Sequence, residues 1–266
     1  MSRAIVLFLL LCLGATRVPA QPAPSVFLEE LTWTEVRDAT SAGKTTVIIP
    51  LGGTEQNGPH MVLGKHNARV RLLAGRIAAA LGNALVAPVL AYVPEGQSNP
   101  PTAHMRFPGT ISIPDATLEE ILESSARGFR LHGFRDVVFI GDHGGYQKVM
   151  ARAAAGLNRE WAKTSVRAHA VEEYYAAAEK EFPQYLKGKG FGAEEIGTHA
   201  GLADTSLALA VDPALVRAEA LKAPPRGKAD GVYGDPARST AALGRSGLDL
   251  IVERSVAAIR KATARQ

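Results

Sequence analysis

Residues 45–67 read TTVIIPLGGTEQNGPHMVLGKHN. The opening run is β-branched and apolar, which suits a buried strand. Glycines then take over, and from 67 to 81 (NARVRLLAGRIAAAL) apolar residues recur every three or four positions, the period of a helix. A strand therefore hands over to a helix through a loop that holds Glu55, Asn57, His60 and His66. Outward from this unit the alternation repeats. Residues 84–90 (ALVAPVL) and 137–140 (VVFI) read as buried strands, 165–171 as a further one, and 207–211 as a short last one. Helical patterns cover 28–44, 117–131, 147–162, 172–185 and 241–264. Thr117 and Glu120 have capping-box spacing at the start of one of them. Strands alternating with helices predict a parallel sheet covered on both faces, the α/β class. Ligands in such sheets bind outside the carboxyl ends of the strands. The loops 52–67 and 141–147 leave strands at that edge, and a long Gly/Pro-rich loop, VPEGQSNPPTAHMRFPGTISI (93–113), is of a length usually kept for function.

With 266 residues, 46% hydrophobic and 21% charged, the chain is globular and long enough for one large domain. MSR, a 12-residue apolar stretch (4–15) and the small residues 18–20 form a signal peptide, so residues 1–20 are expected to be removed and 21–266 to form a single domain. Losing Arg3 and Arg17 leaves 28 basic against 26 acidic side chains. No basic run or basic–aromatic stripe is present, which excludes nucleic acid as a partner. No other apolar run approaches 18 residues, so no membrane is expected to be involved once the signal is removed. The one cysteine, Cys12, lies in the signal, leaving neither disulfides nor thiolate chemistry. An exported chain without disulfides points to a bacterial periplasm or to secretion.

Three kinds of chemistry fit a polar loop at a strand end. Gly53–Gly58 has GxxxxG spacing, but Pro59 stands where a phosphate loop needs Lys and Glu55 would repel phosphate. No GxSxG elbow marks a nucleophile. Metal binding remains: Glu55, His66 and His143 are donors suited to zinc, manganese or iron, with Asp142, Asp204 and His199 as further candidates.

These loops resemble the creatininase (creatinine amidohydrolase) family. Its first motif, roughly P-x-G-x-x-E-Q-H-G-P-H-L-P-x-G-T-D, is matched by residues 50–66, PLGGTEQNGPHMVLGKH. Its N-G-H-G-G-N is matched by GDHGG (141–145), and its H-A-G-E-x-E-T-S by HAGLADTS (199–206). HMRFPGT (104–110) and GVYGDP (231–236) agree as well, so the likeness runs from about 28 to 260 in unbroken order. It implies a three-layer α/β/α sandwich with a mostly parallel sheet, a homo-oligomer (a hexamer in several members), and hydrolysis of C–N bonds at a two-metal centre. In the family the motif Glu binds one metal, the motif His the other, and the Asp bridges them.

This chain keeps only part of that set. Glu55 and His143 are retained, whereas Asn57 stands at the motif His, His66 at the bridging Asp, Leu202 at the first late Glu and Asp204 at the second. A neutral imidazole has one lone pair to give and cannot bridge two ions. The expected site is therefore mononuclear: Glu55, His66, His143 and Asp142 around a divalent metal, zinc first and manganese or iron as alternatives. Asp204, His199 and His60 are the expected catalytic groups, with His104, Arg106 and Asn57 contacting a small amide or cyclic amide substrate. Two rivals stand beside this hydrolase: a binding protein that kept the fold without the chemistry, and a two-metal enzyme with Asp142 or Asp204 as bridge.

Overall fold

The computed structural model describes residues 25–222 and 227–264. The signal-peptide reading of residues 1–20 lies outside the described residues. Four strands, β1 (Thr46–Leu51), β2 (Ala84–Val86), β3 (Asp136–Gly141) and β4 (Arg167–Ala170), form one sheet in the order β2-β1-β3-β4. Every pairing is parallel, with Thr46 opposite both Ala84 and Asp136, and Asp136 opposite Arg167. The helices are α1 (Trp33–Ser41), α2 (Lys65–Leu81), α3 (Asp115–Leu131), α4 (Gln147–Glu160), α5 (Glu172–Ala176), α6 (Phe182–Gly188), α7 (Ala193–Ile196), α8 (Leu202–Val211), α9 (Ala218–Lys222) and α10 (Ala241–Thr263). Residues Ala177–Glu181 form a π-helical turn between α5 and α6.

Alternation along the strands builds two cores. Val47, Ile49 and Leu51 of β1 meet Leu118 and Leu122 of α3 and Val149 and Leu157 of α4 on one face. Ile48 meets Leu73 and Ile77 of α2, Leu207 of α8 and Ile251 of α10 on the other. Strands buried on both faces read as unbroken apolar runs, which is why the sheet was legible.

Three boundaries differ from the sequence reading, each for a local reason. The segment 207–211 is the end of α8, not a strand. That helix is apolar almost all round because α2 and α10 both pack on it, so no amphipathic period marks it. Gly244 of α10 makes the close packing feasible, since a Cβ there would overlap the Ser206 carbonyl oxygen. The helix expected from Thr117 begins at Asp115 after Pro114 and has no side-chain cap, whereas the capping box is found at Thr32 and Glu35 of α1. The strand expected over 84–90 stops at Val86, and Pro88 contributes no donor to the ladder.

The order β2-β1-β3 also positions the site. The chain leaves β1 for β2 on one side and crosses to β3 on the other, so the loops after β1 and β3 diverge above the sheet. This is the topological switch point of an open α/β sheet.

Candidate metal centre

Loops from four parts of the chain meet at this switch point. The turn after β1 is closed by Glu55 N–H donating to Leu63 O (3.1 Å) and by Asn57 Nδ2 donating to Glu55 O (2.9 Å) and Val62 O (3.0 Å). Tyr146 ties the loop after β3 to it: its hydroxyl accepts from the N–H groups of Asp142 and His143 and donates to Leu51 O or Gly52 O. The long loop after β2 brings Glu95 against Gly53, whose φ of +151° and missing Cβ leave room for Glu95 Oε1. Ala103 (φ +45°) and Ala200 (φ +54°) sit in the left-handed region beside His104 and His199. Such outliers cluster where a site dictates the backbone.

Glu55 is fully buried at the centre, and its two oxygens face different surroundings. Oε1 faces α2. His66 Nε2 lies 2.7 Å away and Lys65 Nζ 3.9 Å away. Behind them His66 Nδ1 is 2.6 Å from Asp142 Oδ2, Arg69 Nε donates to Asp142 (2.8 Å) and Arg69 Nη1 to Asp204 (2.9 Å). Tyr174 donates to Asp142 (2.6 Å), and Lys65 Nζ is in contact with Asp204 Oδ2. Three carboxylates here meet two fixed cations and one imidazole.

Oε2 faces the loops after β2 and β3. His104 Nε2 is 3.2 Å and His143 Nε2 3.5 Å from it, and Glu95 Oε2 is 3.4 Å from His143 Nδ1. Glu55 Oε2 and both Glu95 oxygens are buried and accept no well-aligned hydrogen bond among the described residues. Donor atoms of Glu55, Glu95, His104 and His143 all lie within 4.8 Å of one another. A cavity of about 850 Å³ opens beside them, lined by Glu95, Gln97, Asn99, His104, Asp115 and His143.

Electrostatics separates the two sides. Burial alone would raise the Glu55 carboxyl, but His66, His143 and Lys65 hold it well below its usual range. Burial, then the charge of Glu55, pushes Glu95 up to about 10. Burial drives His143 down to about 4 and lowers His104, leaving uncharged rings that have lone pairs to offer. An orphaned carboxylate pair with uncharged imidazoles fits one hard-to-borderline cation. On the α2 side, burial works against charge at Asp142 and Asp204, yet Arg69, with His66 or Lys65, keeps both lowered.

Of the expected ligands, Glu55 and His143 stand in the close donor group, whereas His66 and Asp142 stand outside it. Both nitrogens of His66 and both oxygens of Asp142 already have partners. Asp204, expected as base, is held by Lys65, Arg69 and the Ala200 N–H. His60 is buried against Thr205 Oγ1 (3.0 Å), away from Glu55. Asn57, expected to contact substrate, is fully buried in the turn, its Nδ2 donating to Glu55 O. Arg106 is exposed and donates to Pro101 O (3.4 Å). His104 borders the cavity, and His199 Nδ1 lies 3.7 Å from Glu55 Oε1. Sequence reasoning missed Glu95, Lys65, Arg69, Gln56 and Tyr174. The available signal was modest: Glu95 is an acid in a long loop leaving a strand at the edge already suspected.

A family model described as "Creatininase: Creatinine amidohydrolase" matches residues 29–259. The chain is 30% identical over 200 residues to the creatinine amidohydrolase of Pseudomonas putida, covering 72% of this chain and 74% of that one. It is 30% identical over 226 residues to the mycofactocin precursor peptide peptidase of Mycobacterium tuberculosis, covering 75% and 78%. Two solved structures, one described as a manganese creatininase and one as a zinc–zinc form of a mutant creatininase, each superpose with a TM-score of 0.75 at 27% identity over 91% of this chain and 100% of theirs.

Proposed function

The chain belongs to the creatininase family, and on that premise we propose that it hydrolyses an amide-type C–N bond of a small polar molecule with one divalent metal ion. The observation that carries the reading is the asymmetry around Glu55. On the α2 side Arg69 holds Asp142 and Asp204, Lys65 contacts Asp204, and Lys65 and His66 face Glu55 Oε1, so these carboxylate oxygens are already engaged. On the cavity side Glu55 Oε2 and both Glu95 oxygens accept no well-aligned hydrogen bond among the described residues and face uncharged imidazoles. Glu55, Glu95 and His143 would hold the ion there. Bound, it would supply Lewis acidity and a lowered pKa for a water.

The chain's own groups do the rest. Lys65 and His66 fix Glu55 in orientation and keep it ionised. His199 Nε2–H donates to Gln56 O (3.0 Å), which leaves its Nδ1 lone pair turned toward Glu55. Burial brings that ring down to about 3, so it stays uncharged at neutral pH. Among the described residues the cavity wall brings Asp115 and no lysine or arginine, which favours a neutral or cationic substrate. The amidohydrolase and peptidase relatives support C–N cleavage as the reaction class.

Export after cleavage near Ala20 and assembly as a homo-oligomer belong to the same proposal. N-terminal sequencing of the extracytoplasmic protein and light scattering test them. The enzymatic claim is tested by assaying zinc- and manganese-loaded protein on a panel of small amides, cyclic amides and short peptides, beside Glu55→Gln. Turnover that the substitution abolishes is the expected result. Absence of turnover on every substrate, with no metal taken up, would favour the binding-protein rival.

A further inference from the structure

Gln56 lies next to Glu55 but points away from it, between two imidazoles. Its Oε1 accepts the Gly58 N–H (3.0 Å), and this main-chain donor fixes which end of the amide is oxygen. The Nε2 end therefore carries hydrogens, and it stands 3.1 Å from Gly231 O, 3.1 Å from His104 Nδ1 and 3.1 Å from His199 Nε2. An amide nitrogen accepts nothing, so each of these contacts is favourable only if the partner accepts. The Gly231 carbonyl takes one hydrogen. Among the described residues His199 Nε2 is the donor placed to satisfy the Gln56 carbonyl (3.0 Å), so it bears its own proton. The second amide hydrogen goes to His104 Nδ1, which must hold a lone pair.

An uncharged His104 with Nδ1 unprotonated carries its hydrogen on Nε2. That is the nitrogen facing Glu55 Oε2 and the cavity. It cannot give a lone pair to an ion and keep this hydrogen. His143 differs, because its Nδ1 sees both a donor, Gly145 N–H at 3.2 Å, and an acceptor, Glu95 Oε2 at 3.4 Å. Its tautomer is therefore free to follow the ion.

Resting on the metal-hydrolase reading, we propose that Gln56 fixes His104 as an Nε2–H donor to a substrate oxygen beside the ion, not as a fourth ligand. Gln56 is then a positioning residue and His104 the group that touches substrate. The left-handed Ala103 and the tilted packing of the His104 ring on His199 (centroids 4.7 Å apart) hold the donor in place. The hydrogen bond strengthens as negative charge grows on the substrate oxygen, the condition for helping the reaction and not merely binding.

The test begins on metal-free protein with ¹⁵N-labelled histidine. NMR is expected to show His104 unprotonated at Nδ1 and protonated at Nε2, with the order reversed in Gln56→Glu. The reverse order in the wild type would overturn the proposal. On zinc-loaded protein, X-ray absorption should count one imidazole, rising to two in Gln56→Glu. His104→Phe should leave the zinc Kd within about threefold, yet weaken acetate, used as an oxygen-donor probe, about tenfold or more. Two imidazoles in the wild type, or zinc affinity lost in His104→Phe, would make His104 a ligand and sink the idea. If zinc does not bind at all, the metal reading fails, and the metal-free measurement still decides the tautomer.

Discussion

His66 Nε2 stands 2.7 Å from Glu55 Oε1, so the face of Glu55 that looks toward α2 is closed by an imidazole. A family bridge position has become part of an internal ion-pair network. Lys65 and Arg69, one and three residues from His66 on the same helix, complete it.

Removing a cation from this network should cost stability. Lys65 is 2% exposed and serves Asp204 and Glu55. Breaking a buried pair costs roughly 3–5 kcal/mol. Lys65→Met is expected at about the lower end, roughly 3 kcal/mol, because Arg69 continues to pair Asp204. Urea unfolding measures it, and a loss below about 1 kcal/mol would mean the pair is no better than a surface bridge.

Acid should act through Asp204. Burial would raise its carboxyl, but Lys65 and Arg69 hold it well below 3.8. A depressed folded value stabilises the native state above the unfolded value and forfeits that contribution as pH falls through the lower folded one. The Asp204 contribution should therefore be lost below about pH 4. Asp204→Asn should lower stability at pH 7 and flatten the acid limb. An unchanged acid limb in the variant would assign the pH dependence elsewhere.

Much of the fold was readable in advance, and where the structure places a residue differently the cause is physical. Residues 45–67 gave the strand and the loop because each obeys a local rule, β-branching and glycine, whereas α2 begins at Lys65, two residues before the expected start, and carries His66. The same stretch yielded Glu55 because a charge between glycines at a strand end has few structural uses. His66 and Asp142 were expected to coordinate an ion, since one-dimensional spacing cannot say which lone pairs are already taken. Lys65, left in the loop before the expected helix, drew no role for the same reason. Glu95 lies in an aperiodic loop, and only the folded path of 93–113 carries it to Gly53.

Glu95 gives a sharp discrimination. As a ligand, its replacement should weaken zinc at least as much as loss of an outer-shell partner, about 10- to 100-fold. Glu95→Gln keeps the shape and removes the charge that burial already disfavours. Calorimetric zinc titration of the variant is expected to show this loss with a fold at least as stable as wild type. Unchanged zinc affinity would remove Glu95 from the centre.

Asn57 should matter for the turn and not for substrate. Its Nδ2 serves two buried carbonyls, so Asn57→Ala is expected to cost about 1–3 kcal/mol in thermal or urea unfolding. A variant of native stability with altered substrate affinity would return Asn57 to the role expected from sequence.

The central claim is one cation, held on the cavity side of Glu55. Metal content per chain of protein purified without chelator and saturated with zinc tests it most directly, with His143→Ala and Glu95→Gln measured alongside. Close to one ion per chain, lost in both variants, is the expected result. Two ions per chain, or one that survives both substitutions, would contradict it.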